Sequence, residues 1–510
     1  MQSFSAPLRG WIRNEARVSN KGDGADVLDN WFPTATGARV RGGSELYATV
    51  GAGTRVGAII PYVAGATKKL FAANDTAIYD ITTVVDSAVS PAAAVAALTS
   101  GDWAFVQFTT SGGTYLRLVN GVDTPLIYDG AAWGTAPLIT GVTDENLLHV
   151  WVFKNRLFFV EKNTLNSWYL ATDSIGGAAT KFPLGGVFKR GGSLVFGGSW
   201  AVDTGSGLGE KCVFVTSEGE VAIYEGTDPA SAASWALEGV YRVGRPLGQR
   251  AVFRAGGDLA IATDVGIVPL SQAITTDLGA LGQKAITRQI EDEWADEVVD
   301  RVGLYPWHVE MWPTKQMMLV AMPSYSTLPE ICFVANIRTG AWTRYTGWDT
   351  HSLGLYQDRL FFGTSTGTVI EAEVGGNDQG DSYTAKMALM FSDCGAGALQ
   401  KFVSLARPVY LTSQSIGDKV STAFDYVSGF PTAPNAATPL SGGNTWGTGV
   451  WGTFVWSEGS EQTVQKNWVA VTGEGLAVAP SLQVTVGQDA LPDIELMRID
   501  LQFTVGKTPG

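Results

Sequence analysis

His149, His308 and His351 are the only histidines in a chain of 510 residues. No two of them form an HxH, HxxxH or HExxH pair, the spacings that put two metal ligands on one face of a strand or helix. Strand-like or aromatic sequence flanks each one, so each reads as a packed or surface side chain and no metal is expected. Cys212, Cys332 and Cys394 form no CxxC. Cys212 and Cys332 sit in apolar runs, where a thiol behaves as a small hydrophobe. No disulfide framework is expected, and a reducing compartment of synthesis fits. One G-x-S-x-G spacing occurs, Gly363-Thr364-Ser365-Thr366-Gly367, but it lies in the polar turn between two strand-like runs and opens no helical pattern, so it is not read as a nucleophile elbow. Gly51-Ala52-Gly53 and Gly205-Ser206-Gly207-Leu208-Gly209 precede neither a Lys-Ser/Thr pair nor a helical pattern, so neither cradles phosphate. Asp23, Asp26 and Asp29 step by three, which does not match the alternating ligands of a calcium loop.

Carboxylates such as Glu161, Glu218, Glu220 and Asp358 are plentiful. No local phrase makes two of them an acid and base pair of the glycosidase kind, and the Ser-x-Asp-x-Gly-x-Thr-Trp box of sialidases is absent. Trp446, Trp451 and Trp456 form a Gly-spaced trio. Such rings stack on sugars; they equally anchor a loop or a subunit interface, where Trp is enriched. These residue types give no catalytic group and call for no cofactor.

The elements that would position these residues are announced by a repeat. Leu157-Phe158-Phe159-Val160 and Leu360-Phe361-Phe362-Gly363 are near copies, each preceded by an arginine and followed by a polar turn and a second apolar run. Looser versions begin at Leu70, Leu116, Cys212, Leu259 and Met317, giving steps of 46, 41, 55, 47, 58 and 43 residues. This is the period of one small antiparallel sheet per repeat, as in a β-propeller blade. The expected fold is all-β: a propeller of six or seven blades over residues 53–375, followed by a β-sandwich-like domain over 376–510. Residues 275–300 break the pattern. Ile286, Ile290, Trp294 and Val298 recur at steps of four, which predicts a helical insertion whose stripe packs on its own propeller. Residues 1–52 form a lead segment of arm and closing strands, with 37–50 the candidate for the strand that closes the ring. There Arg39 and Arg41 alternate with Val40, as in a half-buried strand.

Only 16% of residues are charged, against about 25% in ordinary soluble domains. The net charge is −14 with no basic stretch, which argues against stable nucleic-acid binding, since that needs a cationic patch. No window approaches the length of a signal peptide or a membrane span, so a soluble product of the cytoplasm is expected.

The phrase "VLDNWFPTATGARVRGGSELYATVG" (27–51) resembles the opening of tail nozzle proteins of short-tailed bacteriophages, also called tail tubular protein B or packaged-DNA-stabilisation proteins. The matching elements are Leu28-Asp29-Asn30-Trp31-Phe32-Pro33, Gly37 and Arg39-Val40-Arg41-Gly42-Gly43. The phrases "VAVTGEGLAVAPSLQVTVG" and "IELMRIDLQFTVG" are similar to the ends of such proteins. The resemblance implies a non-enzymatic virion protein: a homohexameric ring at the distal end of the tail, around a channel for DNA ejection. It would dock on an adaptor or gatekeeper ring, with tail fibres or spikes as further partners, and let double-stranded DNA pass without binding it specifically. Trp31, Phe32, Arg39, Arg41, Trp446, Trp451 and Trp456 are the candidate assembly or interface residues. The Trp trio and the many carboxylates keep a second reading open, a virion propeller that binds or cleaves host carbohydrate.

Overall fold

The computed structural model describes residues 1–14, 22–203, 208–324, 327–437 and 463–506. All seven repeat phrases begin on the second strand of a blade, six of them in small antiparallel sheets and the Met317 phrase in a larger sheet. Blade 1 comprises Val56–Ala64, Thr67–Asn74, Ala77–Asp80 and Ala93–Ala96. Blade 2 follows with Ala104–Thr110, Gly113–Val119, Leu126–Tyr128 and Trp133–Gly134, and blade 3 with Leu147–Phe153, Arg156–Glu161, Asn166–Tyr169 and Thr180–Pro183. Blade 4 is Leu194–Asp203, Leu208–Thr216, Glu220–Gly226 and Trp235–Arg242; blade 5 has three strands, Val252–Ala255, Asp258–Thr263 and Gly266–Pro269. These five and the last blade are six separate sheets in a ring. Between blade 5 and the last blade, the inner part of an eight-stranded sheet (His308–Trp312, Met317–Ala321, Ile331–Asn336 and Trp342–Thr346) takes the sixth place.

The last blade, Ser352–Tyr356, Arg359–Gly363 and Thr368–Ala372, is completed by a strand from the lead segment. Numbering the lead strands β1 (Gln2–Ser5), β2 (Ala25–Asp29), β3 (Trp31–Pro33), β4 (Ala38–Val40) and β5 (Ser44–Thr49), it is β5 that pairs with Thr368–Ala372. The ring is therefore closed by a strand within the 37–50 stretch expected to do so. Buried apolar clusters fill the gaps between neighbouring blades. One joins Val56, Ile59 and Leu70 of blade 1 to Phe361 and Val369 of the last blade, with Ala48 of β5 between them.

The remaining lead strands belong elsewhere. β1, β3 and β4 join a sheet with Lys401–Thr412, Thr463–Lys466, Val469–Gly475 and Ile494–Val505. β2 lies between the outer strand of the sixth blade and Tyr383–Leu389, in the order continued by Val478–Val486 and Gly417–Phe424. These two sheets face each other across one apolar cluster that includes Trp31, Met387, Tyr410, Leu482, Leu496 and Ile499. This is the C-terminal sandwich, and the lead segment is built into both it and the propeller.

The helical insertion is shorter than its stripe. Only Glu291–Arg301 forms a regular helix of any length, with Trp294 and Val298 buried against blades 5 and 6. Upstream, Ile286 N–H bonds Ile267 O at 2.8 Å and Ile267 N–H bonds Thr287 Oγ1 at 3.1 Å. The open edge of three-stranded blade 5 thus captures the Ile286 N–H and the Thr287 hydroxyl, and the Ile286 N–H spent there is lost to the helical hydrogen bond that the four-residue spacing predicts. Among the described residues no helix is long and apolar enough to cross a membrane.

Candidate functional site

The lead phrase forms a seam between propeller and sandwich, and its residue types follow from that position. Asn30 sits between β2 and β3 with φ of 61°, a left-handed conformation that Asn tolerates. Its Nδ2 donates to Thr346 Oγ1 (2.8 Å) on the propeller side and to Thr384 O (3.0 Å) on the sandwich side. Its Oδ1 accepts from Arg41 Nε at 2.9 Å and from Thr346 N–H at 2.9 Å. Arg41 is fully buried. Nη1 donates to Gly42 O and Asp378 Oδ1, and Nη2 to Thr346 O and Asp378 Oδ2, so with Nε all five N–H groups have an acceptor. The guanidinium stacks on Tyr383 at 3.8 Å and lies over Trp348 at 4.9 Å. Burial opposes the charge, but the hydrogen bond to Asp378 and the surrounding groups hold its pKa above the ordinary arginine value.

The two glycines that follow are required by close approach. A Cβ on Gly42 would lie 2.8 Å from the Glu373 backbone, and one on Gly43 would lie 2.0 Å from Asn377 O. Arg39 bonds Glu373 at 3.1 Å and lies over the Phe32 ring at 4.8 Å. Asp29 pairs with Arg344 at 2.8 Å. Of the candidate assembly or interface residues, Trp31, Phe32 and Arg41 are buried within the single chain at this seam, and Arg39 keeps a side chain 29% exposed. Trp446, Trp451 and Trp456 lie outside the described residues.

A second polar cluster bridges the propeller axis. Gln249 and Arg250, leading into blade 5, reach non-adjacent blades 1 and 2. Gln249 Nε2 donates to Asp102 O at 2.9 Å, Arg250 Nη2 to Asp102 Oδ1 at 3.4 Å, and Arg250 Nη1 to Gly57 O. Arg55 holds the same carboxylate through two bonds of 2.9 Å, bonds Asp75 at 2.9 Å, and stacks on Tyr305 at 4.3 Å. Burial lowers the Arg250 pKa to about 10, so it stays charged at neutral pH. Sequence reading does not single out these residues, because they come from distant repeats and the cluster exists only once the ring closes.

The histidines are packed rather than paired. His308 Nδ1 accepts from Leu353 N–H at 3.0 Å, and His149 Nδ1 from Gly197 N–H at 3.4 Å. Burial holds the pKa of His149 down at about 3 and that of His308 well below the usual histidine value. His351 Nε2 lies 3.2 Å from Asp349, but Ser324 and Ser365 each donate their hydroxyl to that same carboxylate at 2.6 Å. Both serines point at the acid, not at the imidazole, so the geometry activates no nucleophile. Among the described residues no three His, Cys, Asp or Glu side chains are grouped to hold a metal ion.

No protein-family model matches the chain, and no curated protein matches it. Solved structures that resemble it include the extracellular domain of BT4673 from B. thetaiotaomicron, with 11% identity over 66% of this chain and a TM-score of 0.38. BBS1N, solved in complex with ARL6DN, has 12% identity over 68% of this chain and a TM-score of 0.40; Raptor of Chaetomium thermophilum has 11% over 65% and 0.39. This chain covers 40% of the first, 98% of the second and 29% of the third. Likeness at this level assigns no function and no residue role.

Proposed function

We propose that the chain is a structural virion protein, one subunit of a homohexameric tail nozzle of a short-tailed bacteriophage. In this role it forms the distal part of the DNA ejection channel, retains packaged genome and opens at infection. The observation that carries the reading is the seam: the residues that resemble the nozzle family are those that weld propeller to sandwich through Asn30, Arg41 and Asp378. A wall element that bears the pressure of packaged DNA needs such a rigid joint. Because Arg250 and Asp102 bridge the propeller axis, the conduit in this reading runs between subunits rather than through a blade ring. A net charge of −14 suits a channel lining that repels phosphate at short range, salt screening it beyond about 8–10 Å.

Its partners would be five further copies and an adaptor or gatekeeper ring, with fibres or spikes at the periphery and double-stranded DNA in transit. Mass photometry and negative-stain imaging of the full chain, alone and with its adaptor, test the proposal. Sixfold rings enclosing a pore are expected; monomers alone, even with adaptor present, would overturn it.

A further inference from the structure

Beneath the bridge of Arg250 and Asp102, the propeller axis opens into a cavity of about 340 Å³. Blades 2, 3, 5 and 6 each contribute to its wall, and its polar groups are His149, Gln249, Arg250, Arg254, His308 and Glu310. Most of what these side chains offer is donor. Each imidazole accepts a backbone N–H at Nδ1, which fixes the neutral ring's proton on Nε2 and makes that atom a donor. Both Nη groups of Arg250 are held by Gly57 and Asp102, whereas its Nε is buried without a partner. Arg254 has one bond to protein, from Nη2 to Ser199 O at 3.3 Å. Among the described residues the one carboxyl in the wall is Glu310, and the neutral His308 ring brings Nε2 no nearer to it than 3.7 Å, beyond hydrogen-bond reach.

A buried N–H without an acceptor is costly and rare. Here one sits beside a second guanidinium and two imidazole donors, in a protein whose overall charge is strongly negative. The complement of that wall is a compact group of negatively charged oxygens, and the aromatic floor of Phe105 and Phe253 suits a short carbon skeleton behind it. We propose that the axial cavity binds a small organic carboxylate, with its oxygens received by Arg254, Arg250 Nε and the imidazole Nε2 groups. The inference rests on the ring alone and is independent of the nozzle reading.

Glu310 sets the condition for binding. Burial pushes its pKa up to about 7. The groups facing it are His308 on its own strand, Arg250 and Arg254 from blade 5 and His149 from blade 3, with Asp102 behind Arg250. As the neutral acid, Glu310 donates a hydrogen bond to a bound carboxylate; as the anion, it repels one. If only the protonated form binds, affinity falls about tenfold between about pH 6 and about pH 8, in proportion to the competent fraction.

The test is calorimetric titration of the full chain with acetate, succinate and citrate at both pH values, with glucose as the uncharged control. One ligand per chain is expected for at least one acid, weaker at the higher pH. Arg254→Gln should weaken it by about tenfold or more, the loss of one charged contact. Glu310→Gln should abolish the pH difference while circular dichroism shows an unchanged fold. Failure of all three acids to bind at the lower pH would overturn the proposal. Binding of glucose in their place would also overturn it, as would affinities unmoved by both substitutions in folded protein.

Discussion

Arg41 has every N–H bonded inside the chain and an aromatic ring against its face. Removing it leaves Asp378 and Asn30 without their partner at a buried joint. Arg41→Ala is expected to cost about 3–5 kcal/mol, as for other buried pairs broken from one side. Arg41→Lys should recover only part, because an ammonium cannot present a planar fork. Denaturant unfolding of the full chain measures both. Glu310 gives a prediction with a definite sign. Its folded pKa is raised from 4.5 to about 7, so between those values the native chain holds a proton the unfolded chain has released. Its contribution to stability therefore falls as pH rises from about 4.5 to about 7 and is level above. Melting temperatures of wild type and Glu310→Gln should agree near the lower limit and separate above the upper one, with wild type the lower. Of the alternation of Arg39 and Arg41 around Val40, the strand was legible as far as Val40, and Arg41 lies just beyond its end. That Arg41 is buried outright was not, because its counter-charge lies 337 residues away and leaves no local trace.

The second strand of each blade was the readable element for a physical reason. It is flanked by strands of its own sheet and covered on both faces by neighbouring blades, so it must be an unbroken apolar run. Leu157–Val160 and Leu360–Gly363 are buried throughout. Outer strands meet solvent and vary, which is why no comparable phrase marks them. The helix was misjudged in length because a four-residue spacing cannot reveal that blade 5 lacks a fourth strand and takes the Ile286 N–H and the Thr287 hydroxyl instead. What remains of the stripe is inward. Trp294 is 1% exposed, with Nε1 bonded to Thr263 O at 2.9 Å, whereas Val299 on the same helix is 77% exposed. Trp294→Ala should cost about 3–5 kcal/mol and Val299→Ser no more than about 0.5 kcal/mol. Equal losses in thermal or denaturant unfolding would mean the helix presents a different face to the propeller.

Propeller and sandwich share an eight-stranded sheet and one apolar cluster that runs from Ile267 and Val309 to Leu482 and Ile499. Few polar loops separate the two units, so neither should melt without the other. Calorimetry of the full chain is expected to show a single cooperative transition; two resolved peaks would show that the seam is weaker than its hydrogen bonds imply. The two-part architecture was legible from the end of the repeat and the strand patterns beyond 376. The distribution of the lead segment over both parts was not, since strand pairing across most of the chain carries no sequence periodicity of its own.

The closure of the ring by β5 has a consequence for biosynthesis. Ser44 meets Asp378, 334 residues further along the chain, and at ordinary translation rates that interval lasts on the order of tens of seconds. Throughout it β5 is a ready strand with unmatched backbone groups, exposed to the ribosome surface and to other nascent copies. A chain of this design completes its ring only after nearly three-quarters of it has been made. In a crowded cell, the last blade of one copy and the waiting strand of another are chemically equivalent mates.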